Sequence, residues 1–218
     1  MSGSRLLPNI LITGTPGTGK SSLVARLKEF LNFNFINVSE LVKENGLYES
    51  YDADMDTYDI DIDRTLDELE GPMAKGGNIV EHHACAWFPE RFFQLVVVLR
   101  TNNTLLYDRL AARGYSDAKI EGNMEAELLE SVLAEAYESY NENIVMELPS
   151  DTEDQVDENA RKIIDWIRRY MRGEEDYPKL SEDQDDDDED YEGDDLAHYN
   201  GDDDDDAQLS LQCDSYIQ

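Results

Sequence analysis

The most constraining feature of this sequence is a glycine-rich segment, GTPGTGKS, at residues 14–21. It matches the pattern G-x-x-x-x-G-K-[ST] at every fixed position. A short apolar run of strand length precedes it at residues 6–13, and leucine and phenylalanine recur at helical spacing in residues 21–31. The sequence therefore predicts a strand, a glycine loop and a helix, which is the local structure that this pattern uses to bind phosphate.

Each fixed residue of the loop has a chemical role. Gly17 and Gly19 let the backbone wrap closely, so that N–H groups and the positive helix N-terminus point at phosphate oxygens. Lys20 would reach the β- and γ-phosphates, and the Ser21 hydroxyl would bind Mg²⁺ directly, with Ser22 beside it. We expect these five residues to bind ATP, with Mg²⁺ as the cofactor. The alternative is a glycine turn that only connects two elements.

The rest of the body alternates between strand-like and helical segments. Further strands are expected at residues 33–38, 78–83, 94–99 and 143–148. Helices are expected at residues 39–45, 63–75, 103–113, 123–141 and 152–172. This alternation predicts an α/β fold, a five-stranded parallel sheet flanked by helices. Ligands of such sheets bind at the carboxyl ends of the strands, so functional residues are expected just after the first, third and fourth strands.

Charge divides the chain into two parts. The net charge is −33, and residues 173–218 hold 20 acidic residues and one basic residue, against 31 and 17 in residues 1–172. The later part has no periodic apolar pattern, so we predict a single domain at 1–172 and a disordered acidic tail at 173–218. Because surplus carboxylate repels nucleic acid phosphate, no direct DNA binding is expected, and a large partner should be basic.

Other features limit where the chain can act. The strongest hydrophobic run, residues 95–99, is far too short to span a bilayer, so no membrane association is expected. Cys85 lies in the body and Cys213 in the acidic tail. A structural disulfide is therefore not predicted, and we expect a soluble intracellular protein.

A second set of candidate site residues ends the segment GGNIVEHH at residues 76–83. Alternation along a strand would place Glu81 and His83 on one face and His82 on the other. A carboxylate at such a strand end suits the acid that holds Mg²⁺ through water, and His83 could orient a water or the phosphates. The alternative is a polar strand end with a packed histidine. Two adjacent histidines without a third ligand do not predict a zinc site.

Three arginines stand out in an otherwise acidic body. Arg109 and Arg113 are spaced i, i+4 on one predicted helix and so share a face. Arg91 follows the second set. Arginines aimed at a phosphate cleft would counter its charge during phosphoryl transfer, although each could instead form a surface ion pair.

Together these motifs resemble the adenylate kinase isoenzyme 6 family, an atypical branch of the adenylate kinase superfamily. The resemblance covers residues 6–172. The motifs that carry it are GTPGTGKSS at 14–22, EHH at 81–83, FPER at 88–91, VLRT at 98–101 and RGY at 113–115. It implies a P-loop NTPase of nucleoside monophosphate kinase type.

The resemblance also implies that different segments of the domain bind the two nucleotides. Residues 37–60 would form the monophosphate-binding segment and residues 112–122 a short lid. The lid arginine of the family falls on Arg113, which would close over the ATP phosphates. Lys20, Glu81, His83 and Arg113 would then be the catalytic residues.

The same resemblance implies a function, a partner and a location for this protein. It implies phosphoryl transfer between ATP and AMP, together with ATP hydrolysis in late small-subunit ribosome maturation and rRNA processing. It places the protein in the nucleus, with the cytoplasm also open to it, and implies a basic small-subunit ribosomal protein as partner within a pre-ribosomal particle.

The family has Asp-x-His where this chain has Glu81 and His83. Lys43 stands where family members can carry an arginine, and Lys43 and Arg91 are the candidate monophosphate ligands.

Two alternatives remain open from the sequence. One is an ATP-switched ribosome assembly factor with little monophosphate kinase activity, favoured by the acidic tail and the imperfect monophosphate segment. The other is a P-loop kinase for a different small acceptor, such as a nucleoside or a shikimate-like alcohol.

Overall fold

A computed structural model describes residues 7–52 and 57–174. Nearly all of the predicted acidic tail, residues 175–218, lies outside them. The strands are β1 (Ile10–Thr13), β2 (Asn34–Asn37), β3 (Tyr48–Asp52), β4 (Thr57–Ile60), β5 (Asn78–Glu81), β6 (Leu95–Arg100) and β7 (Val145–Pro149). The helices are α1 (Lys20–Lys28), α2 (Val38–Asn45), α3 (Ile62–Lys75), α4 (Asn103–Ala112), α5 (Asp117–Leu128), α6 (Ser131–Ser139) and α7 (Glu153–Met171). One-turn helices form at Glu90–Phe92 and Glu142–Ile144.

Five of the strands form one parallel sheet in the order β2-β5-β1-β6-β7. The central strand β1 is fully buried, and Ile12 lies opposite Glu81 on one side and Val97 on the other. Helices cover both faces, which is why the central strands are continuous apolar runs rather than alternating ones. The predicted five-stranded parallel sheet is confirmed.

Two apolar cores lie on the two faces of the sheet. Ile10 and Ile12 pack with α1 and α7, whereas Leu11 packs with α2, α3 and α6. The strand period of two thus divides one apolar run between the two cores. Helix α7 begins at a capping box between Thr152 and Gln155. None of the helices in the described residues is long and apolar enough to span a membrane.

The predicted helix at 123–141 is two helices. Helix α5 already begins at Asp117 and ends at Leu128, and the chain turns at Glu130, whose φ is 55°. The turn allows α5 to pack on α4 through Ile120 while α6 packs on the sheet through Ala136. The helical spacing of apolar residues continues across the turn, so periodicity alone predicts a single helix.

An antiparallel hairpin of β3 and β4 is a second difference from the sequence prediction. It lies within residues 37–60, the predicted monophosphate-binding segment, and its tip at 53–56 is outside the described residues. The ring of Tyr58 lies 4.6 Å from that of Tyr48 and 4.9 Å from that of Tyr51, centroid to centroid. Cross-strand aromatic pairs of this kind stabilise an acidic hairpin that is largely exposed.

Gly14 and Gly122 give a matched test of backbone geometry. Gly14 has φ of +140°, and a Cβ there would lie 2.6 Å from the carbonyl oxygen of Leu99. We expect Gly14→Ala to lower the free energy of unfolding by about 2 kcal/mol or more. The carbonyl oxygen of Leu99 belongs to the backbone and cannot move aside as the end of a flexible side chain could. Gly122→Ala, in open space within α5, should be neutral or stabilise by up to about 1 kcal/mol. Urea unfolding followed by circular dichroism measures both, and equal losses would contradict this account.

Candidate nucleotide-binding site

Three strand ends meet at one edge of the sheet. The glycine loop leaves the central strand β1, Glu81 ends β5, and Arg100 ends β6. Because β1 lies between β5 and β6, the loop is flanked on both sides by polar strand ends. The structure therefore brings the first and second predicted motifs together at the carboxyl edge of the sheet.

The loop needs glycine because of its close neighbours. Gly17 has φ of +100°, and an added Cβ would lie 2.7 Å from Cδ1 of Leu106 on α4. Gly19 has φ of +95°, and its Cβ would lie 2.7 Å from Oγ of Ser150, just after β7. No side chain caps α1, and its first turn contains no acidic residue of its own, so its free N–H groups and positive end suit an anion.

Lys20 is held inside the loop. The residue is 9% exposed, and its Nζ donates hydrogen bonds to the carbonyl oxygens of Gly14 at 2.6 Å and Thr15 at 3.0 Å. Burial lowers the pKa of the amine to about 8, with Glu81 opposing that change and the positive charge of Arg113 adding to it. The amine is thus a poorly hydrated cation that a phosphate group can readily engage.

The lowered pKa of Lys20 predicts a pH dependence of ATP affinity. Bound phosphates favour the charged amine, whereas the nucleotide-free protein loses that proton as the pH rises through about 8. The dissociation constant for ATP should therefore increase above that pH, by up to about tenfold per pH unit. Isothermal titration at constant free Mg²⁺ measures the profile. The Lys20→Ala protein is the control, and a profile equally steep in both proteins would exclude Lys20 as the titrating group.

Ser21 and Glu81 form the pair expected at a magnesium site. The Ser21 hydroxyl donates a hydrogen bond of 2.6 Å to Oε1 of Glu81, which is 9% exposed. The glutamate side chain is one methylene longer than the aspartate of the family pattern, and its carboxylate still lies at the serine hydroxyl. Oxygen donors of this kind suit Mg²⁺. The described residues contain no cluster of three or more His, Cys, Asp or Glu that could hold a metal, so phosphate and water oxygens would complete the shell.

The two histidines differ from the expected alternation. Strand β5 ends at Glu81, and the rings of His82 and His83 lie 4.3 Å apart rather than on opposite faces. His82 is 2% exposed, and its Nδ1 lies 2.9 Å from the carbonyl oxygen of Ala84. Burial, and then the charge of His83, lowers the pKa of His82 to about 3. His82 is therefore a neutral, packed side chain.

His83 is exposed at the cleft. Desolvation of the ring lowers its pKa to about 4, and the positive charges of Lys20 and Lys119 act in the same direction. Lys119 lies on α5, with its Nζ 4.4 Å from the centre of the Tyr115 ring. Because His83 is neutral at ordinary pH, one ring nitrogen can accept a hydrogen bond from a water or a substrate hydroxyl.

The two arginines of α4 have different surroundings. Arg113 ends the helix, is exposed, and lies close enough to Lys20 for its charge to lower the pKa of that amine. Arg109 donates to the carbonyl oxygens of Gly17 at 3.3 Å, Ser150 at 2.9 Å and Asp151 at 2.7 Å. Arg109 is thus committed to backbone carbonyls and ties the loop to the end of β7, whereas the side chain of Arg113 is exposed.

The two candidate monophosphate ligands have different surroundings, and Arg91 lies away from the glycine loop. Lys43 is exposed in the last turn of α2, which lies within residues 37–60. Arg91 pairs with Glu70 at 2.8 Å. The carbonyl of its neighbour Phe92 accepts a hydrogen bond from Asn9, at the opposite end of β1 from the glycine loop. The structure does not bring Arg91 together with the loop.

Glu127 is a site residue that sequence reasoning missed. It is 2% exposed, and its Oε2 accepts a hydrogen bond of 2.5 Å from the hydroxyl of Thr15 in the loop. Its Oε1 accepts hydrogen bonds from Nε of Arg100 at 2.8 Å and from the backbone N–H of Thr101 at 3.1 Å. Glu127 therefore joins α5, the glycine loop and the end of β6. In the sequence it is one acid among many in a polar helix, with no local signal.

This combination of fold and site defines a P-loop nucleotide kinase. A family model described as an AAA domain matches residues 10–130. A Dictyostelium discoideum adenylate kinase isoenzyme 6 homolog is 46% identical over 78% of this chain and 97% of its own length. The Saccharomyces cerevisiae adenylate kinase isoenzyme 6 homolog FAP7 is 44% identical over 78% of this chain and 87% of its own length. The chain belongs to the adenylate kinase isoenzyme 6 family.

Solved structures agree on the fold. The shikimate kinase from Bacteroides thetaiotaomicron superposes with a TM-score of 0.51 at 15% identity, covering 73% of this chain and 98% of that one. The Acinetobacter baumannii shikimate kinase gives a TM-score of 0.50 at 18% identity, covering 77% of this chain and 97% of that one. At such identities the likeness concerns the P-loop kinase fold alone.

Proposed function

We propose that this protein transfers the terminal phosphoryl group of ATP to AMP, hydrolyses ATP as a second reaction, and acts in maturation of the small ribosomal subunit. One observation carries the chemical part of the proposal. The Ser21 hydroxyl and the Glu81 carboxylate are 2.6 Å apart, beside the buried amine of Lys20. A metal-binding oxygen pair and a poorly hydrated cation at one loop are what phosphoryl transfer requires.

In the proposed reaction, a phosphate oxygen of AMP attacks the γ-phosphorus of ATP, and the bond to the β–γ bridging oxygen breaks, leaving two ADP. Lys20 and the loop N–H groups stabilise the charge on the β- and γ-phosphates. Ser21 would hold Mg²⁺ directly and Glu81 through water, and the ion would supply further neutralisation of phosphate charge. Arg113 closes over the phosphates and excludes water.

The acceptor side is formed by residues 37–60 in this proposal. Lys43 offers a point charge to the phosphate of AMP rather than the fork of an arginine. His83 follows the end of β5 by two residues, and in this proposal its ring orients the attacking oxygen. When AMP is absent, the same ring can orient a water molecule, which gives ATP hydrolysis.

The test is to incubate the protein with ATP and Mg²⁺, with and without each nucleoside monophosphate, and to resolve the products. We expect labelled AMP to become labelled ADP, with at least one ATP consumed for each AMP converted and any excess released as inorganic phosphate by hydrolysis. Lys20→Ala should abolish that conversion. Equal ATP consumption with and without AMP, and no labelled ADP, would contradict the kinase proposal.

A second candidate function is an ATP-switched assembly factor with little monophosphate kinase activity. Arg91 favours it, because its ion pair with Glu70 leaves Lys43 with less cationic support for a monophosphate. We propose a basic small-subunit ribosomal protein, encountered in a pre-ribosomal particle, as the partner in either case. The acidic tail would speed that encounter at low salt.

The partner and the compartment are tested separately from the chemistry. A pull-down with a basic ribosomal protein should recover less after truncation at residue 173, and recovery should fall as salt rises. Unchanged recovery at low salt would remove the tail from the interaction. The proposed location is the nucleus, and also the cytoplasm. Fractionation of cells expressing the full chain, followed by immunoblotting, tests it.

A further inference from the structure

A basic groove lies between α1 and α7, on the outer surface of one helical layer. We call it the α1–α7 groove. Its volume is about 280 Å³, and Arg26, Arg161 and Arg168 line it together with Phe30 and Ile164. Its lining also contains one carboxylate, that of Asp157, which is paired with Nε of Arg26 at 2.6 Å. The ring of Phe30 is 38% exposed. Apolar surface and guanidinium groups together suit a ligand that is anionic and partly apolar.

Positive charge is concentrated here although the chain as a whole is strongly acidic. Residues 161–172 contain five basic residues and one acidic residue in a chain of net charge −33. The negative end of the helix dipole accounts for cations in the last turn of α7, such as Arg168 and Arg169. It does not account for Arg161, which lies about two turns before Arg168.

The basic residues of α7 divide into two groups by their partners. Lys162 pairs with Glu158 at 2.7 Å, and Arg169 pairs with Asp165 at 3.1 Å, both along the helix. Arg161 and Arg168, which line the groove, are exposed and form no ion pair within residues 7–52 and 57–174. The unpaired cations are therefore those that face the groove.

An anion of matching chemistry lies close by in the same chain. Residues 185–190, DDDDED, carry six consecutive carboxylates, and Tyr191 follows them. The described chain ends at Glu174, three residues past the end of α7. The path from Arg172 back to Arg161 is about 16 Å along the helix. The residues between Glu174 and Asp185 can span at most about 40 Å, so the run can reach both arginines.

We propose that the acidic run at 185–190 docks within its own chain on the α1–α7 groove, running back along α7. Its carboxylates pair with the guanidinium groups of Arg161 and Arg168, which can accept them in a bidentate fork. The ring of Tyr191 offers apolar contact to Phe30 and Ile164. A short covalent tether keeps the run at a high effective concentration, which favours it over a separate acidic ligand.

Docking of this kind has a consequence for salt and for partners. Each exposed ion pair is weak and is screened by salt, so the interaction depends on several pairs on one tether. While docked, the run is less available to a basic protein. The proposal does not depend on which reaction the nucleotide site catalyses.

Paramagnetic relaxation in the full-length chain tests the proposal. A spin label is attached at Asp187→Cys in a Cys213→Ser background. Cys85 stays unlabelled because it is buried and because burial raises its pKa to about 12. At low ionic strength we expect the label to broaden the backbone amide signals of residues 157–168. The broadening should disappear at 1 M salt, where the screening length falls to about 3 Å.

Charge-reversed variants supply the comparison. Arg161→Glu with Arg168→Glu should lose the broadening. Lys43→Glu with Lys75→Glu makes the same change in net charge on α2 and α3, across the sheet, and should keep it. The amide spectrum of each variant also reports whether it is folded.

Three results would overturn the proposal. One is no broadening at the groove at low salt, and another is equal loss of broadening in both charge-reversed proteins. The third is that the groove signals of the full chain are unaffected by the label but shift when polyphosphate is added to a chain truncated after residue 174. In that case the groove binds a separate polyanion rather than its own tail.

Discussion

Replacing Lys20 with alanine is expected to lower the rate of phosphoryl transfer from ATP by about a hundredfold or more. The amine is buried within the loop and is hydrogen-bonded to two loop carbonyls, so no solvent cation can take its position without reordering the loop. The loss should appear in kcat, because the developing charge on the phosphates is stabilised most in the transition state. Steady-state measurement of ADP formation, with and without AMP, gives the value.

Lys28→Ala is the matched control for that prediction. Lys28 lies in the last turn of the same helix, and its Nζ is 5.3 Å from the centre of the Phe35 ring, on the surface. It should retain the activity of the unchanged protein. A similar fall in both variants would point to damage to α1 rather than to loss of a phosphate contact, and full activity of Lys20→Ala would contradict the assignment.

Glu127→Ala is expected to have the largest effect on stability, a loss of about 3 kcal/mol or more in the free energy of unfolding. The substitution removes the acceptor of hydrogen bonds from Thr15, Arg100 and Thr101 at once. The guanidinium of Arg100 is only 20% exposed, so it would be left without its most buried partner. Denaturant unfolding of the nucleotide-free protein measures the change.

Glu130→Ala tests whether burial causes that effect. Glu130 pairs with the same guanidinium at 3.1 Å, but its side chain is 59% exposed. An exposed pair contributes about 1 kcal/mol or less, so this variant should unfold nearly as the unchanged protein does. Equal losses for Glu127 and Glu130 would show that the bonds to Thr15 and Thr101 contribute little. Saturating ATP should raise the free energy of unfolding of both proteins, since a bound nucleotide stabilises the folded state.

Much of the fold could be predicted because its signals are local. The glycine loop, the apolar strands and the helix predicted at residues 152–172 each depend on residues close in sequence, and all three have the predicted type. The position of the Glu81 strand end beside the loop also follows, because parallel strands place their carboxyl ends at one edge. The contact between Ser21 and Glu81 is the result.

Other features depend on distant partners and could not be predicted. The turn at Glu130 forms because α5 and α6 pack on different surfaces, and the β3–β4 hairpin is held by rings from both strands. Arg109 looked like a second phosphate ligand on the same helix face as Arg113. It binds carbonyl groups of residues more than 40 positions away in either direction instead.

The sequence by itself determined the kind of chemistry that this protein can perform, because the loop GTPGTGKS and the alternation of strands and helices are encoded in short, continuous segments. Only the tertiary structure decided which charged groups act on that loop. Glu127 reaches it across 112 positions of sequence, whereas Arg91 is directed to the far end of β1. The physical reason is burial: a carboxylate 2% exposed must have partners, and packing alone determines which partners lie near.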